Sequence, residues 1–176
     1  MGFERTDFVS EKQYINMIRL KTAVLLGFSL ELGAMLAKAK PRDQKLLREA
    51  GINIGIGFQL KDDLLDVYAD QTKFGKQVGG DIIANKKTFL LIHALSRATG
   101  NERVELMRWL SDNSNPSAKV KAVTNIYDNL GLKDYAEKKV KALFKKGLTQ
   151  LAALRVSAEK KANLEDYINN LIHRQV

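Results

Sequence analysis

Apolar positions recur at intervals of three and four residues along almost the whole chain. Tyr14, Ile18, Lys21, Leu25 and Phe28 fall on one helical face, and Ala136, Val140, Leu143, Gly147, Leu151 and Leu154 on another. The pattern predicts long helices over 11–38 and 42–71 and a glycine-rich loop over 72–85. Five shorter helices follow near 87–98, 102–112, 117–129, 133–155 and 158–174. Both prolines suit helix starts: Pro41 precedes Arg42–Leu47, and Pro116 follows Asn113-Ser114-Asn115. No stretch alternates with the period of two that a half-buried strand requires. Nor is there an internal repeat or a low-complexity linker. The expected class is all-α, with residues 1–176 forming a single helical region. Gly51, Gly55 and Gly57 resemble a dinucleotide loop only faintly. That fingerprint needs a strand before it and a helix after it, whereas these glycines interrupt nothing in the helical pattern. Close approach of two helix backbones explains them better.

Composition narrows the chemistry. The chain has 176 residues, 45% hydrophobic and 28% charged, enough to bury a core. With no cysteine, disulfides and thiolate metal sites are excluded. The two histidines, His93 and His173, lie far apart, so hard oxygen donors point any metal toward magnesium rather than zinc. A net charge of +9 favours anionic partners, although a solvated basic surface is the plainer reading. Glu31 interrupts the apolar run Ala23–Leu30 well before the ~18 residues of a membrane span. Met1–Arg5 lacks the basic-then-apolar order of a signal peptide. A soluble, cytoplasmic protein with no transmembrane segment is expected.

The segment Phe58-Gln59-Leu60-Lys61-Asp62-Asp63-Leu64-Leu65-Asp66 carries the chemistry. On a helix Asp62 and Asp66 share a face ~6 Å apart, with Asp70 continuing the row. Two carboxylates at that distance repel by about 3 kcal/mol at an effective dielectric of ~20. A solvated acidic face tolerates this; beside Phe58, Leu60, Leu64 and Leu65 it calls for a cation. Magnesium takes such oxygens and bridges to phosphate. Gly75-Lys76-Gln77-Val78-Gly79-Gly80-Asp81 follows, and then Asn85-Lys86-Lys87-Thr88 at a helix start, where backbone N–H groups favour an anion. Lys21-Thr22 sits within an otherwise apolar helix, where a lysine either snorkels to solvent or answers a negative group. Each feature alone reads as a solvated charge or a turn. Together they supply acids for a metal and bases for a diphosphate.

Lys21-Thr22, then Phe58-Gln59-x-x-Asp62-Asp63-x-x-Asp66, then Gly75-Lys76-x-x-Gly79-x-Asp81-Ile82-x-x-x-Lys86-x-Thr88 resemble the ordered motifs of the trans-isoprenyl diphosphate synthases. These are the farnesyl, geranylgeranyl and longer polyprenyl diphosphate synthases. The likeness runs over roughly 14–91; beyond Gly100 only the helical pattern is shared. It implies an isoprenoid-synthase-type helical bundle of which this chain is the C-terminal portion. It also implies a magnesium-dependent prenyltransferase that joins an allylic diphosphate to isopentenyl diphosphate.

By the same resemblance Asp62, Asp63 and Asp66 hold the metal, directly or through water. Lys21, Lys76 and Lys86 grip the allylic diphosphate. Thr22 and Gln59 hydrogen-bond near that group or the developing cation, and Phe58 lines the allylic pocket. A homodimer is the family's habit. The family also carries an earlier aspartate-rich motif followed by arginines, and a Gly-Gly-Lys-x-x-Arg segment for isopentenyl diphosphate. Neither is in this sequence, so the chain is expected to be inactive alone. A non-catalytic partner of a complete synthase is the alternative. Nucleic acid is not an expected partner: Lys138, Lys139, Lys141, Lys145 and Lys146 read as a solvated helix face with no interleaved aromatic beyond Phe144, which the period places at the core edge.

Overall fold

A computed structural model of the chain describes residues 9–69 and 78–173. Among them every regular element is helical: α1 (Glu11–Ile18), α2 (Val24–Leu36), α3 (Pro41–Tyr68), the short α4 (Gly80–Ile83), α5 (Phe89–Arg97), α6 (Gly100–Ser111), α7 (Pro116–Asn129), α8 (Leu132–Ala152) and α9 (Ala158–His173). The boundaries follow from local chemistry. Asn115 accepts a hydrogen bond from the Ala118 N–H at the start of α7, with Pro116 in the first turn. Thr88 does the same for the Leu91 N–H at the start of α5. The loop predicted over 72–85 differs at its described end. There the chain passes through Gly79 at φ +86° and winds into α4, a turn that glycine alone makes without steric cost. None of the described helices is long and apolar enough to cross a membrane.

Between α1 and α2 the helix widens into a five-residue π turn, Arg19–Ala23. The extra residue moves the buried face. Tyr14 and Ile18 are buried as the period requires, but the next buried positions are Ala23, Gly27 and Ala34. Leu25 and Phe28, expected on that face, are 70% and 51% exposed. An unbroken 3.6-residue period therefore follows the core only to Ile18.

The described residues gather into two compact units, one comprising residues 9–14 and 61–137, the other Ile15–Leu60 with residues 138–173. In the second unit the glycines do what helix packing asks of them. A Cβ at Gly51 would lie 2.7 Å from the Gly27 Cα, and one at Gly55 would lie 2.8 Å from the Ala23 Cα. Thus α2 and the first part of α3 touch backbone to backbone. A Cβ at Gly57 would lie 3.2 Å from the Phe144 ring, and one at Gly147 of α8 would lie 2.7 Å from the Ile54 side chain. Asn53 donates to the Gln150 Oε1 at 2.9 Å, and Gln150 donates to the Glu49 Oε2 at 2.9 Å, tying α3 to α8.

The first unit is built on aromatic rings. Phe89 stacks on Tyr135 with centroids 5.7 Å apart, and His93 meets the same ring edge-on at 4.9 Å. The Arg97 guanidinium lies 4.1 Å from the Tyr135 centroid, and the Tyr135 hydroxyl donates to the Glu11 carboxylate at 3.1 Å. Leu90, Leu106, Ile126, Tyr127 and Leu132 complete this core.

Candidate functional site

The last turns of α3 carry Asp62, Asp63 and Asp66, all in the first unit, and the structure gives them different surroundings. Asp63 is turned into the interior, with 6% exposure. Its Oδ2 accepts a 2.5 Å hydrogen bond from the Tyr14 hydroxyl and a 2.9 Å bond from the Phe89 N–H. The helix start at 89 does bind an anion, as expected of free backbone N–H groups. That anion is Asp63 of the protein itself. Burial pushes the Asp63 carboxyl up to about 6, against the Tyr14 and Phe89 hydrogen bonds, which pull it down. The same burial, with the Asp63 charge added, drives the Tyr14 hydroxyl far above the ordinary tyrosine value. Asp63 was expected among the metal ligands; its partners here make it a strut between α1, α3 and α5.

Asp62 and Asp66 are half-buried. The Asp66 Oδ2 accepts the Asp81 N–H at 2.9 Å, and its main-chain carbonyl accepts the Gly79 N–H at 2.6 Å. Its Oδ1 faces Gly80, where an added Cβ would be 3.4 Å away. Burial raises the Asp66 carboxyl; the Asp81 N–H and Lys86 oppose that, and the Asp81 charge adds to it. Asp81 in turn accepts two bonds from the Lys86 Nζ, at 3.0 and 2.9 Å. Burial by itself would lower the Lys86 ammonium, but the Asp81 bond and the charges of Asp81, Asp63 and Asp66 outweigh it and hold it above the ordinary lysine value. Tyr127 is buried against the same acids, and their charges add to the effect of burial in raising its hydroxyl.

Among the described residues no three Asp, Glu or His side chains converge into a ready-made metal cage. This donor set fits magnesium nonetheless. The ion holds near-octahedral geometry with several waters and needs only one or two carboxylates plus substrate phosphate. Asp62 and Asp66, one helical turn apart, provide that.

Lys21 and Thr22 lie in the π turn of the second unit, Lys21 exposed and Thr22 half-buried. π turns inside α-helices are found disproportionately at functional sites. Thr22 and Phe58 are brought together on the wall of a cavity of about 440 Å³, with Leu26, Ile54 and Ile168. Gln59 is the next residue of α3 and half-buried. Lys76 and Asp70 lie outside the described residues. Tyr14, Tyr127 and Asn85 were not expected to matter. Tyr14 carried no signal beyond a core-facing period, Tyr127 was not singled out, and Asn85 was visible only as a neighbour of Lys86.

The polyprenyl synthetase family profile matches residues 1–127. The chain is 33% identical to a geranylfarnesyl diphosphate synthase of Aeropyrum pernix over 99% of its own length and 54% of that protein's. It is 42% identical to a geranylgeranyl diphosphate synthase of Saccharolobus solfataricus over 64% of its length and 34% of that protein's. A crystal structure of a geranylgeranyl pyrophosphate synthase superposes with a TM-score of 0.89 at 34% identity, covering 99% of this chain and 55% of that one. The chain thus spans about half the length, or less, of these relatives.

Proposed function

The chain belongs to the polyprenyl synthetase family, and from that premise we propose that it supplies the second aspartate-rich side of an enzyme condensing an allylic diphosphate with isopentenyl diphosphate. What carries this reading is the Asp66–Asp81–Lys86 chain, a metal-competent carboxylate row on α3 linked through Asp81 to a lysine of raised basicity.

In this proposal Asp62 and Asp66 hold Mg2+, which when bound supplies positive charge to the departing diphosphate. Lys86 keeps its proton throughout, because Asp81 stabilises the ammonium. A diphosphate oxygen takes one of its three N–H donors. The motif resemblance alone assigns Lys21 and Lys76 to the same group, with Thr22 and Gln59 as its hydrogen-bonding neighbours. The cavity shared by Thr22 and Phe58 receives the isoprenoid chain, its apolar walls excluding the water that would quench an allylic cation. Asp63 serves as a positioning residue, locking the Asp62–Asp66 turn of α3 to α5 through Phe89.

The working form in this reading is a cytoplasmic homodimer. The test is incorporation of labelled isopentenyl diphosphate into product by a complete synthase containing this chain, with Mg2+ present. Asp62→Ala is expected to lower turnover at least ~100-fold, the scale of losing a transition-state charge stabiliser. Turnover near that of the unmodified enzyme would remove Asp62 from the mechanism.

A further inference from the structure

Lys119 stands in the first turn of α7, and its side chain is among the most buried in the protein, at 1% exposure. Both circumstances are unfavourable for an ammonium. Burial removes its hydration, and the N-terminal end of a helix carries partial positive charge. Its close partners are neutral amides: the Nζ donates to the Asn85 Oδ1 at 2.6 Å and to the Asn113 Oδ1 at 2.7 Å. Burial lowers the proton affinity of the Lys119 amine, partly offset by the charge of Asp112.

Asn85 is itself unusual. It is one of two described non-glycine residues at positive φ, +50°, a conformation that asparagine tolerates better than most residues. Its side chain is held at both ends, the Nδ2 donating to the Leu110 carbonyl at 2.9 Å and the Oδ1 accepting from Lys119. That left-handed corner folds Lys86 back, so that its N–H reaches the Asp81 carbonyl at 2.9 Å and its Nζ the Asp81 carboxylate. One residue along α7, Val120 supports the other end of the same segment. A Cβ at Gly79 would lie 2.6 and 2.7 Å from its methyl groups. Residues 79–86 are thus clamped between α3, through Asp66, and α7, through Lys119 and Val120.

We propose that Lys119 is a positioning residue for diphosphate binding: through Asn85 it fixes the left-handed corner that aims the Lys86 ammonium at the Asp66–Asp81 carboxylates. This inference rests on the reading of Lys86 as a phosphate ligand. Any buried lysine needs acceptors for its N–H groups; what sets Lys119 apart is that one of its two acceptors, Asn85, is the residue adjoining Lys86.

The experiment is titration calorimetry of inorganic pyrophosphate with Mg2+ on the unmodified protein, Lys119→Met, Lys86→Met and the double variant. Thermal unfolding followed by circular dichroism reports on the fold of each. Lys119→Met is expected to weaken binding about tenfold, and less than twofold further in the Lys86→Met background, because a residue acting through Lys86 has nothing left to aim. Asn85→Gly is a second probe that leaves no buried bulk to misfold. Glycine accepts the positive φ but cuts the link to Lys119, and a loss of about fivefold or more is expected. Binding that stays within twofold in a folded Lys119→Met or in Asn85→Gly overturns the inference while leaving the site intact. An equal Lys119→Met penalty with and without the Lys86 side chain overturns it too. If the unmodified protein binds no magnesium pyrophosphate, the reading of the site falls and the inference with it.

Discussion

Asp63 is a buried acid whose proton is held more tightly in the folded chain than in the unfolded one, about 6 against an ordinary 3.8. The folded state keeps a proton that the unfolded state has already lost across that interval. Its contribution is therefore fully present below about pH 4 and is lost as pH rises through about 6, a swing on the order of 3 kcal/mol. Urea unfolding in metal-free buffer is expected to show this decline between pH 4 and pH 7, and Asp63→Asn to remove it. Tyr14→Phe deletes the 2.5 Å donor to the same oxygen and is expected to cost about 1–3 kcal/mol, more at pH 7.5 than at pH 4.5, because the ionised carboxylate depends on that donor most. A Tyr14→Phe penalty equal at both pH values would contradict the assignment. The residue types at 62, 63 and 66 were legible as an acidic cluster on one helix. Which of them turns inward was not, since that is decided by Tyr14, 49 residues away in sequence, and by the N–H of Phe89.

The helices themselves were readable to within a few residues, because α3, α7 and α8 carry sustained periodicity and the starts of α3 and α7 carry proline, with an asparagine cap on α7. What escaped notice was the π turn at Arg19–Ala23, one inserted residue that rotates Leu25 and Phe28 off the buried face. No local sequence signal marks such an insertion. It becomes visible only when Ala23 and Gly27 are seen against Gly55 and Gly51. The glycine contacts make a sharp expectation. Gly51→Ala places a methyl 2.7 Å from the Gly27 Cα, a backbone atom with no room to yield. It is expected to destabilise by about 1–3 kcal/mol. Gly33→Ala in α2, where nothing lies within 4 Å, is expected to stabilise by about 0.5–1 kcal/mol through helix propensity. Chemical denaturation of the two variants checks both. A neutral Gly51→Ala would mean that α2 and α3 are not in backbone contact there.

At the scale of the whole molecule, the order of motifs was the most legible feature: lysine–threonine, acidic cluster, glycine loop, second lysine. The family match over residues 1–127 agrees with it. How the pieces are braced was not legible. Nothing in the sequence pattern singled out Lys119, yet it is buried and bonded to Asn85. Leu25 and Phe28 read as one face with the core residues Tyr14 and Ile18, yet on α2 they are exposed, as are Met35 and Leu36. The account depends most on one claim, that carboxylates of α3 and the Lys86 ammonium grip a single magnesium pyrophosphate. The direct measurement is pyrophosphate affinity with Mg2+ and after its removal by chelator, for the unmodified protein and for Asp66→Asn. The account predicts that magnesium tightens binding at least tenfold and that Asp66→Asn abolishes this gain. Pyrophosphate bound equally well with and without the metal would contradict it.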